Sequence, residues 1–229
     1  MLSRTNGAKM SHPETVSAGF RPATEQGRLM KHQSTRAVYE HWNKKRGSRP
    51  APARAEVDPT EIRHALSDTF TLAEDFTGQL RFRLAGTRVC ALCGREIKGE
   101  LFAALWNEDS RATIEELLAI LTDEATGAVA GVAARTEQGD KADLELLLLP
   151  LAHVGHTRIR AIGVLAPLVP PYWLGARPVS ELTLGALRHI EADIGLVPRM
   201  VRAASGSRVR HGFVVYSGGR TTPSGERSG

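Results

Sequence analysis

The chain has 229 residues, of which 41% are apolar and 24% are charged, a composition typical of a globular domain with a buried core. Its net charge of +5 comes from the two ends. Residues 1–56 carry 11 Lys and Arg against 4 Asp and Glu, and residues 191–229 carry 6 against 3, whereas residues 57–190 carry 13 against 18. Because the central region is acidic, we expect no basic groove on the main domain and therefore no nucleic-acid partner.

The cysteine content and the hydropathy of the sequence indicate where in the cell the protein works. The 2 cysteines are too few for a disulfide framework. No segment reaches the ~18 apolar residues of a membrane-spanning helix, and the N-terminal region lacks the apolar core of a secretion signal. The sequence therefore predicts a cytoplasmic protein with reduced thiols and no membrane contact. Met1 and Met30 both stay open as the start of translation, since Met30 directly precedes the first segment with a helical pattern.

Composition divides the chain into four parts. Residues 1–33 show no hydrophobic period, which predicts a disordered N-terminal segment. Residues 34–56 predict a helix followed by a proline-rich connector, and residues 57–168 predict the core domain. Residues 169–229 form a C-terminal extension whose end is rich in Gly, Ser and Thr, so we expect it to be partly disordered.

The predicted N-terminal helix carries large apolar side chains on one face. It begins near Ser34 and ends at Gly47, and Val38, Tyr39 and Trp42 share a face at spacings of three and four residues. Large aromatic residues on a short peripheral helix either cover the sheet of their own chain or contact a second chain. We take these three residues as candidates for a homodimer interface, with packing inside the chain as the alternative.

The core domain opens with a short helix and a hairpin. Asp58 is a suitable N-cap residue and Pro59 a suitable first helical residue, so a short helix is predicted there. Residues 69–73 and 80–84 alternate apolar and polar side chains on either side of a turn. This pattern predicts two antiparallel strands, each with one buried face.

A helical region and further strands follow the hairpin. After short helical pieces, a longer helix is predicted with Asp109 and Ser110 at its cap and Gly127 at its end. Strands are predicted at residues 128–137, 143–151 and 158–166. Residues 179–190 fit either a strand or a helix, and residues 213–216 fit one more strand. Two strands, a helical insertion and three strands predict an α+β fold with an antiparallel sheet.

Seven short segments carry a resemblance to a known family: YEHW at residues 39–42, RPAPAR at 49–54, DP at 58–59, FRLAGT at 82–87, CALCGRE at 90–96, ELLLLPL at 145–151 and GVLAP at 163–167. In this order and spacing they resemble the PAS_5 family of single-domain PAS proteins from alphaproteobacteria, over most of residues 35–168. PYWLG at residues 171–175 and YSGGR at residues 216–220 add less weight.

The resemblance implies a fold and a class of function. The fold is a PAS-like five-stranded antiparallel sheet in the order 2-1-5-4-3, with helices on one face, an N-terminal helical extension and a C-terminal extension. The function is that of a non-catalytic sensory or regulatory protein that contacts other signalling proteins, including histidine kinases, in bacterial signal transduction. A sensor that binds a small ligand or nucleotide messenger in the PAS pocket is the alternative.

Ten residues are candidates for lining a pocket between the helices and the sheet: Leu84, Val89, Cys90, Leu92, Phe102, Leu105, Trp106, Ile114, Leu118 and Leu121. The plainer interpretation is that they fill a core. The small residues Ala128, Ala130, Gly131 and Ala133 would leave room for a small apolar or nucleotide-like ligand.

Cys90 and Cys93 form a CxxC pair, which supplies two of the four ligands of a zinc site or the thiols of a redox pair. His153 and His156 would complete a zinc site. A PAS-like strand order, however, places them at the opposite end of the sheet from Cys90. Ordinary buried thiols are therefore the favoured interpretation, with a redox or metal role as the less favoured one.

No cofactor and no catalytic site are predicted. The residues around Cys90 lack the Asn-Cys-Arg-Phe type of motif of photoactive flavin domains, and residues 110–127 lack the His that haem-binding PAS domains usually present. The chain has no GxSxG, P-loop or HExxH motif. We therefore expect a protein that is not an enzyme and holds no metal.

Overall fold

The structure is a computed structural model, and it describes residues 30–152, 158–190, 208–210 and 213–215. Three α-helices lie in these ranges: α1 (Gln33–Arg46), α2 (Thr87–Cys93) and α3 (Glu108–Asp123). Short 3-10 helices span Arg54–Glu56, Arg63–Asp68 and Phe102–Leu105. The strands are β1 (Thr69–Glu74), β2 (Leu80–Ala85), β3 (Gly127–Thr136), β4 (Lys141–Pro150), β5 (Ile159–Pro167), β6 (Val179–Ile190), β7 (Arg208–Arg210) and β8 (Phe213–Val215).

Strands β1 to β6 form one antiparallel sheet in the order β2-β1-β5-β4-β3-β6. The predicted order of the first five strands is confirmed. β6 adds a sixth strand along the whole of β3, so residues 179–190 are a strand and not a helix. The alternating pattern of apolar residues explains why this segment is a strand, because Leu182 and Leu184 both pack against the core on one face of β6.

The front face of the sheet is the face that α2, α3 and the 3-10 helix Phe102–Leu105 cover. Alternate strand residues point to this face and join the helices in one buried cluster. Its centre is aromatic: the ring centroids of Phe70, Phe82 and Phe102 are 5.4–5.5 Å apart, and Trp106 lies 5.8 Å from Phe102. The apolar face predicted for the long helix is buried here as well.

α1 covers the opposite face of the sheet, here called the back face. Val38, Tyr39 and Trp42 pack there in a second buried cluster with residues such as Leu147 and Ile162. The central strands β4 and β5 are buried on both faces, and strands of this kind need cover on both sides. The predicted N-terminal helical extension is therefore the cover of the back face, and helices lie on both faces of the sheet.

The N-terminus of α3 is fastened to the edge strand β6. The side chain of Asn107 accepts a hydrogen bond from the backbone N–H of Ser110 at 3.1 Å and caps the helix, where the sequence predicts a cap at Asp109 and Ser110. The Ser110 hydroxyl accepts the backbone N–H of Leu184 at 2.9 Å instead. Asn107 thus caps the helix, and the Ser110 hydroxyl holds it against β6.

Two predicted helix boundaries are corrected. α3 ends at Asp123, before Gly127, because Ala125 takes a positive φ of 52° that no helix continues, and Gly127 opens β3. Asp58 does not begin a helix. Its carboxylate caps a turn, and the 3-10 helix starts only at Arg63.

Met30 is buried and α1 starts at Gln33, one residue before the predicted start at Ser34. The predictions for residues 1–29, for His153 and His156 and for most of the C-terminal extension lie outside the described residues. The strand predicted at residues 213–216 coincides with β8, which pairs with β7. Within the described ranges, no helix has the length and apolar composition needed to cross a bilayer.

Candidate functional site

Nine of the ten predicted pocket residues lie in the core of the front face. Cys90 and Leu105 are partly buried at its edge, and the other seven are buried, namely Val89, Leu92, Phe102, Trp106, Ile114, Leu118 and Leu121. The tenth, Leu84, is not a pocket residue, because its side chain is 53% exposed. A register shift in the pairing of β1 with β2 interrupts the alternation, and Leu84 pairs with Thr71 on the back-face side of β2.

The small residues of β3 divide between the two faces. Ala128 and Ala130 face the front core, where the sequence analysis expects room for a ligand. Gly131 and Ala133 are exposed on the back face, so they do not line a pocket in the front core.

The front core holds one polar group without a partner. Nε1 of Trp106 is buried and has no hydrogen-bond partner among the described residues, and the whole side chain is only 2% exposed. A buried N–H that is left unpaired costs about 1–3 kcal/mol. An acceptor supplied by a ligand would therefore gain a hydrogen bond at this position.

Neither cysteine has the environment of a reactive thiol. Burial raises the pKa of Cys93 to about 11 and also raises the pKa of Cys90. Both side chains are therefore neutral thiols at neutral pH. The described part of the chain contains no group of three or more His, Cys, Asp or Glu residues able to hold a metal ion.

The predicted interface residues of α1 are covered by their own chain. Val38, Tyr39 and Trp42 are only 1–2% exposed. Trp42 donates its indole N–H to the carbonyl of Pro150 at 2.7 Å, and the guanidinium of Arg46 lies 5.2 Å from the centre of its ring. This geometry supports the alternative of packing inside the chain, while a contact of these residues with a second chain stays a prediction.

A buried carboxylate on β4 holds the beginning of α1. Glu145 is 4% exposed, and its two carboxylate oxygens accept the backbone N–H groups of Lys31 and His32, each at 2.8 Å. The side chain of His32 in turn caps the helix by accepting the N–H of Ser34. Glu145 was not predicted as a site residue, although a lone acidic residue at the start of the apolar run ELLLLPL is a signal that could have marked it.

A second buried carboxylate joins the helices of the two faces. Asp68 is fully buried at the end of a 3-10 helix, next to β1. It accepts a hydrogen bond from the hydroxyl of Ser34 on α1 at 2.7 Å. Nη1 of Arg88 on α2 lies 2.6 Å from both carboxylate oxygens. Asp68 thus connects the back-face helix with a helix of the front core around the end of the sheet.

His41 ties the middle of α1 to the connector. Its Nε2 accepts the backbone N–H of Asp58 at 3.1 Å, and its Nδ1 lies 3.5 Å from the carboxylate of Glu61. Burial lowers the pKa of His41 and outweighs the raising effect of Glu61. The imidazole is therefore held neutral, with Nε2 as acceptor. Lys45 also binds Glu61, at 2.8 Å.

A cleft of about 350 Å³ opens at one end of the sheet, where β4 ends and β5 begins. Pro50 and Ala53 of the connector line it, together with Leu121 and Thr122 of α3. Pro150, the last residue of β4, lines it as well. Of the ten predicted pocket residues, Leu121 alone lines this cleft.

The chain belongs to the PAS_5 family. The model of this family, described as a PAS domain, matches residues 30–166, which is more than half of the chain. The match ends before β6, so this strand is an addition to the matched region. A search of curated proteins gives no match.

Three solved structures are similar over about half of the chain. The PAS domain of a protein from Colwellia psychrerythraea is 14% identical, with a TM-score of 0.34 over 48% of this chain and 97% of that one. An RNA-binding light-oxygen-voltage receptor is 17% identical, with a TM-score of 0.36 over 48% of this chain and 32% of that one. A light-oxygen-voltage domain studied with a flavin analogue is 12% identical, with a TM-score of 0.38 over 51% and 87%. The family assignment rests on the family model.

Proposed function

We propose that this chain is a sensory or regulatory PAS protein of bacterial signal transduction, which acts by contact with other signalling proteins and performs no catalytic step. Within this proposal it is a single-domain protein of the alphaproteobacterial type, works in the cytoplasm and associates with itself. The family match supports the sensory class. The observation that carries the mechanism is Asp68, a buried carboxylate that binds a helix on each face of the sheet.

Asp68 provides a physical route from the core to the surface helix. Arg88 belongs to α2, whose other side lines the front core, and Ser34 belongs to the first turn of α1. A movement of α2 that withdraws Arg88 leaves the Asp68 carboxylate buried with one neutral donor, which is costly. The position of α2 and the docking of α1 are therefore linked, and a change in the core alters the face that α1 presents to a partner protein.

Affinity purification of the tagged full chain, followed by mass spectrometry of proteins and small molecules, tests this function. We expect signalling proteins to be recovered with the wild type and in altered amounts with Arg88→Gln. Arg83→Gln, which changes an exposed arginine of β2, is the matched control. Recovery of no signalling protein with the wild type, or equal recovery with Arg88→Gln, contradicts the proposal.

Ligand sensing in the front core is the second candidate function, and the unpaired Nε1 of Trp106 favours it. Thermal unfolding with a panel of nucleotide messengers tests it, since a ligand present at 100 times its Kd stabilises the folded state by about 2.7 kcal/mol. Trp106→Phe keeps an aromatic ring and removes the N–H, so it should lose part of that stabilisation. No shift with any messenger, and no small molecule bound to the purified chain, would leave this core without a ligand.

A further inference from the structure

Phe76 is the most exposed large apolar side chain among the described residues, at 90%. It stands at the tip of the turn between β1 and β2. The carboxylate of Asp75 fixes this turn by accepting the N–H of Thr77 at 2.8 Å and the N–H of Gln79 at 3.0 Å. Its second oxygen accepts Nε of Arg81 at 2.6 Å. An aromatic ring on a preformed turn loses little conformational freedom when it is bound.

The cleft at the same end of the sheet can accept an apolar group. The arginines that line it are already paired: Arg49 binds Glu56 through two nitrogens at 2.8 and 3.0 Å, and Nη2 of Arg160 lies 2.6 Å from Glu74. The hydroxyl of Thr122 donates to a carbonyl of its own helix. An apolar occupant therefore fills the cleft without leaving these polar groups unpaired.

The turn and the cleft are neighbours on one surface. Glu74 ends β1, two residues before Phe76, and the Arg160 side chain that it binds lines the cleft. A protruding ring beside a recess suits a two-fold contact, because each copy then offers both halves. Charge agrees with this pairing. Exposed Arg158 lies beside the turn, and exposed Asp123 lies beside Thr122 at the cleft.

We propose that two copies of this chain associate by inserting Phe76 of each copy into the cleft of the other. The inference rests on the self-association within the proposed function and names its surface. Two aromatic rings bury less than the ~1,200 Å² of a standard protein interface, so the dimer is reversible. It leaves α1 docked on its own sheet.

Sedimentation equilibrium of the full chain, from micromolar to submillimolar concentration, tests the dimer. Phe76→Ala removes the inserted ring and Thr122→Trp fills the cleft. Since each change acts at both contacts, we expect either one to raise the dimer Kd at least about 100-fold. Val169→Ala, at a side chain that is 76% exposed elsewhere, is the control and should leave the Kd unchanged.

Mixing the two variants gives a sharper test. Phe76→Ala keeps an open cleft and Thr122→Trp keeps the ring, so a heterodimer of the two can make one of the two contacts. We expect the mixture to associate more tightly than either variant alone. A wild type that is monomeric throughout, a Kd that Phe76→Ala leaves unchanged, or a mixture no tighter than its components overturns the inference. The recovery of other signalling proteins is measured separately, so contact with partner proteins is tested whatever the outcome for the dimer.

Fluorescence gives an independent readout. The three native tryptophans, Trp42, Trp106 and Trp173, are each only 2% exposed. Phe76→Trp therefore adds one exposed reporter at the site. Its emission should shift to the blue as the concentration rises, and an emission that does not change with concentration contradicts insertion.

Discussion

Buried polar residues fix α1 on the sheet. Glu145 binds the residues that precede the helix, Asp68 binds its first turn and His41 binds the connector that follows it. Each group replaces lost hydration with hydrogen bonds, as buried polar groups must. At the scale of single residues, these contacts predict effects on stability that apolar packing alone does not.

Replacing Arg88 with Gln should lower the free energy of unfolding by about 1–3 kcal/mol, because the buried Asp68 carboxylate loses its cationic partner. Adding Asp68→Asn removes the charge and should recover part of the loss. Urea denaturation measures both, with Arg83→Gln as the control at an exposed arginine. An Arg88→Gln variant as stable as the wild type contradicts the ion pair.

We expect His41 to make part of the free energy of unfolding depend on pH. Burial lowers its pKa below the value of 6.5 that applies in the unfolded chain. As the pH falls below 6.5, the unfolded chain takes up a proton that the folded chain does not. The free energy of unfolding should therefore fall until the pH passes the folded-state pKa and then level off. The charged groups that face the imidazole are Glu61, Lys44, Lys45 and Asp58.

Urea denaturation at pH values between 7.5 and 5 measures how the free energy of unfolding depends on the pKa of His41. His41→Gln should show a shallower loss of stability on acidification than the wild type. His64→Gln, which changes an exposed histidine, is the matched control. The same slope in His41→Gln and in the wild type would show that another group is responsible.

At the scale of elements, the link between β2 and α2 depends on Gly86. Its N–H donates to the carbonyl of Thr69 at 2.8 Å, and a Cβ at this position would lie 2.1 Å from the carbonyl oxygen of Leu66. Gly86→Ala should therefore cost more than about 2 kcal/mol, since backbone must move. Gly131→Ala is the control, because its Cβ meets nothing within 4 Å. Equal thermal midpoints for the two variants would contradict the close approach.

Because α1 packs on its own sheet through Trp42, we expect this residue to stabilise the folded chain. Trp42→Ala should lower the free energy of unfolding by about 3–5 kcal/mol, because the buried ring and its bond to Pro150 are lost. Glu40→Ala changes an exposed residue of the same helix and should have little effect. Denaturation and sedimentation should be measured together. A Trp42→Ala variant with normal stability but no dimer would restore α1 as an interface between chains.

Elements with a local signal could be predicted from the sequence. The hairpin, the apolar face of α3 and the order of five strands follow from alternation, helical spacing and the family resemblance. Leu84 could not be placed, because one register shift reverses the face to which it points. Glu145 and Asp68 were missed since their partners lie far away in the chain; Lys31 is 114 residues from Glu145.

At the scale of the molecule, the sheet separates two buried hydrophobic clusters, one on its front face and one on its back face. The front core contains an unpaired indole N–H, and the back face is closed by a helix that polar contacts hold at its start. Asp68 joins the two sides at the end of the sheet beside β1. The proposed function depends on this connection, because it would carry a change in the core to the helix on the other face.

Hydrogen exchange of the full chain, comparing the wild type with Arg88→Gln, tests this coupling most directly. Although Arg88 lies on α2, the amides of α1 between Gln33 and Arg46 should exchange faster in the variant, by a larger factor than those of β4. Faster exchange confined to α2, or one uniform factor for every element, would contradict the coupling of the two faces through Asp68.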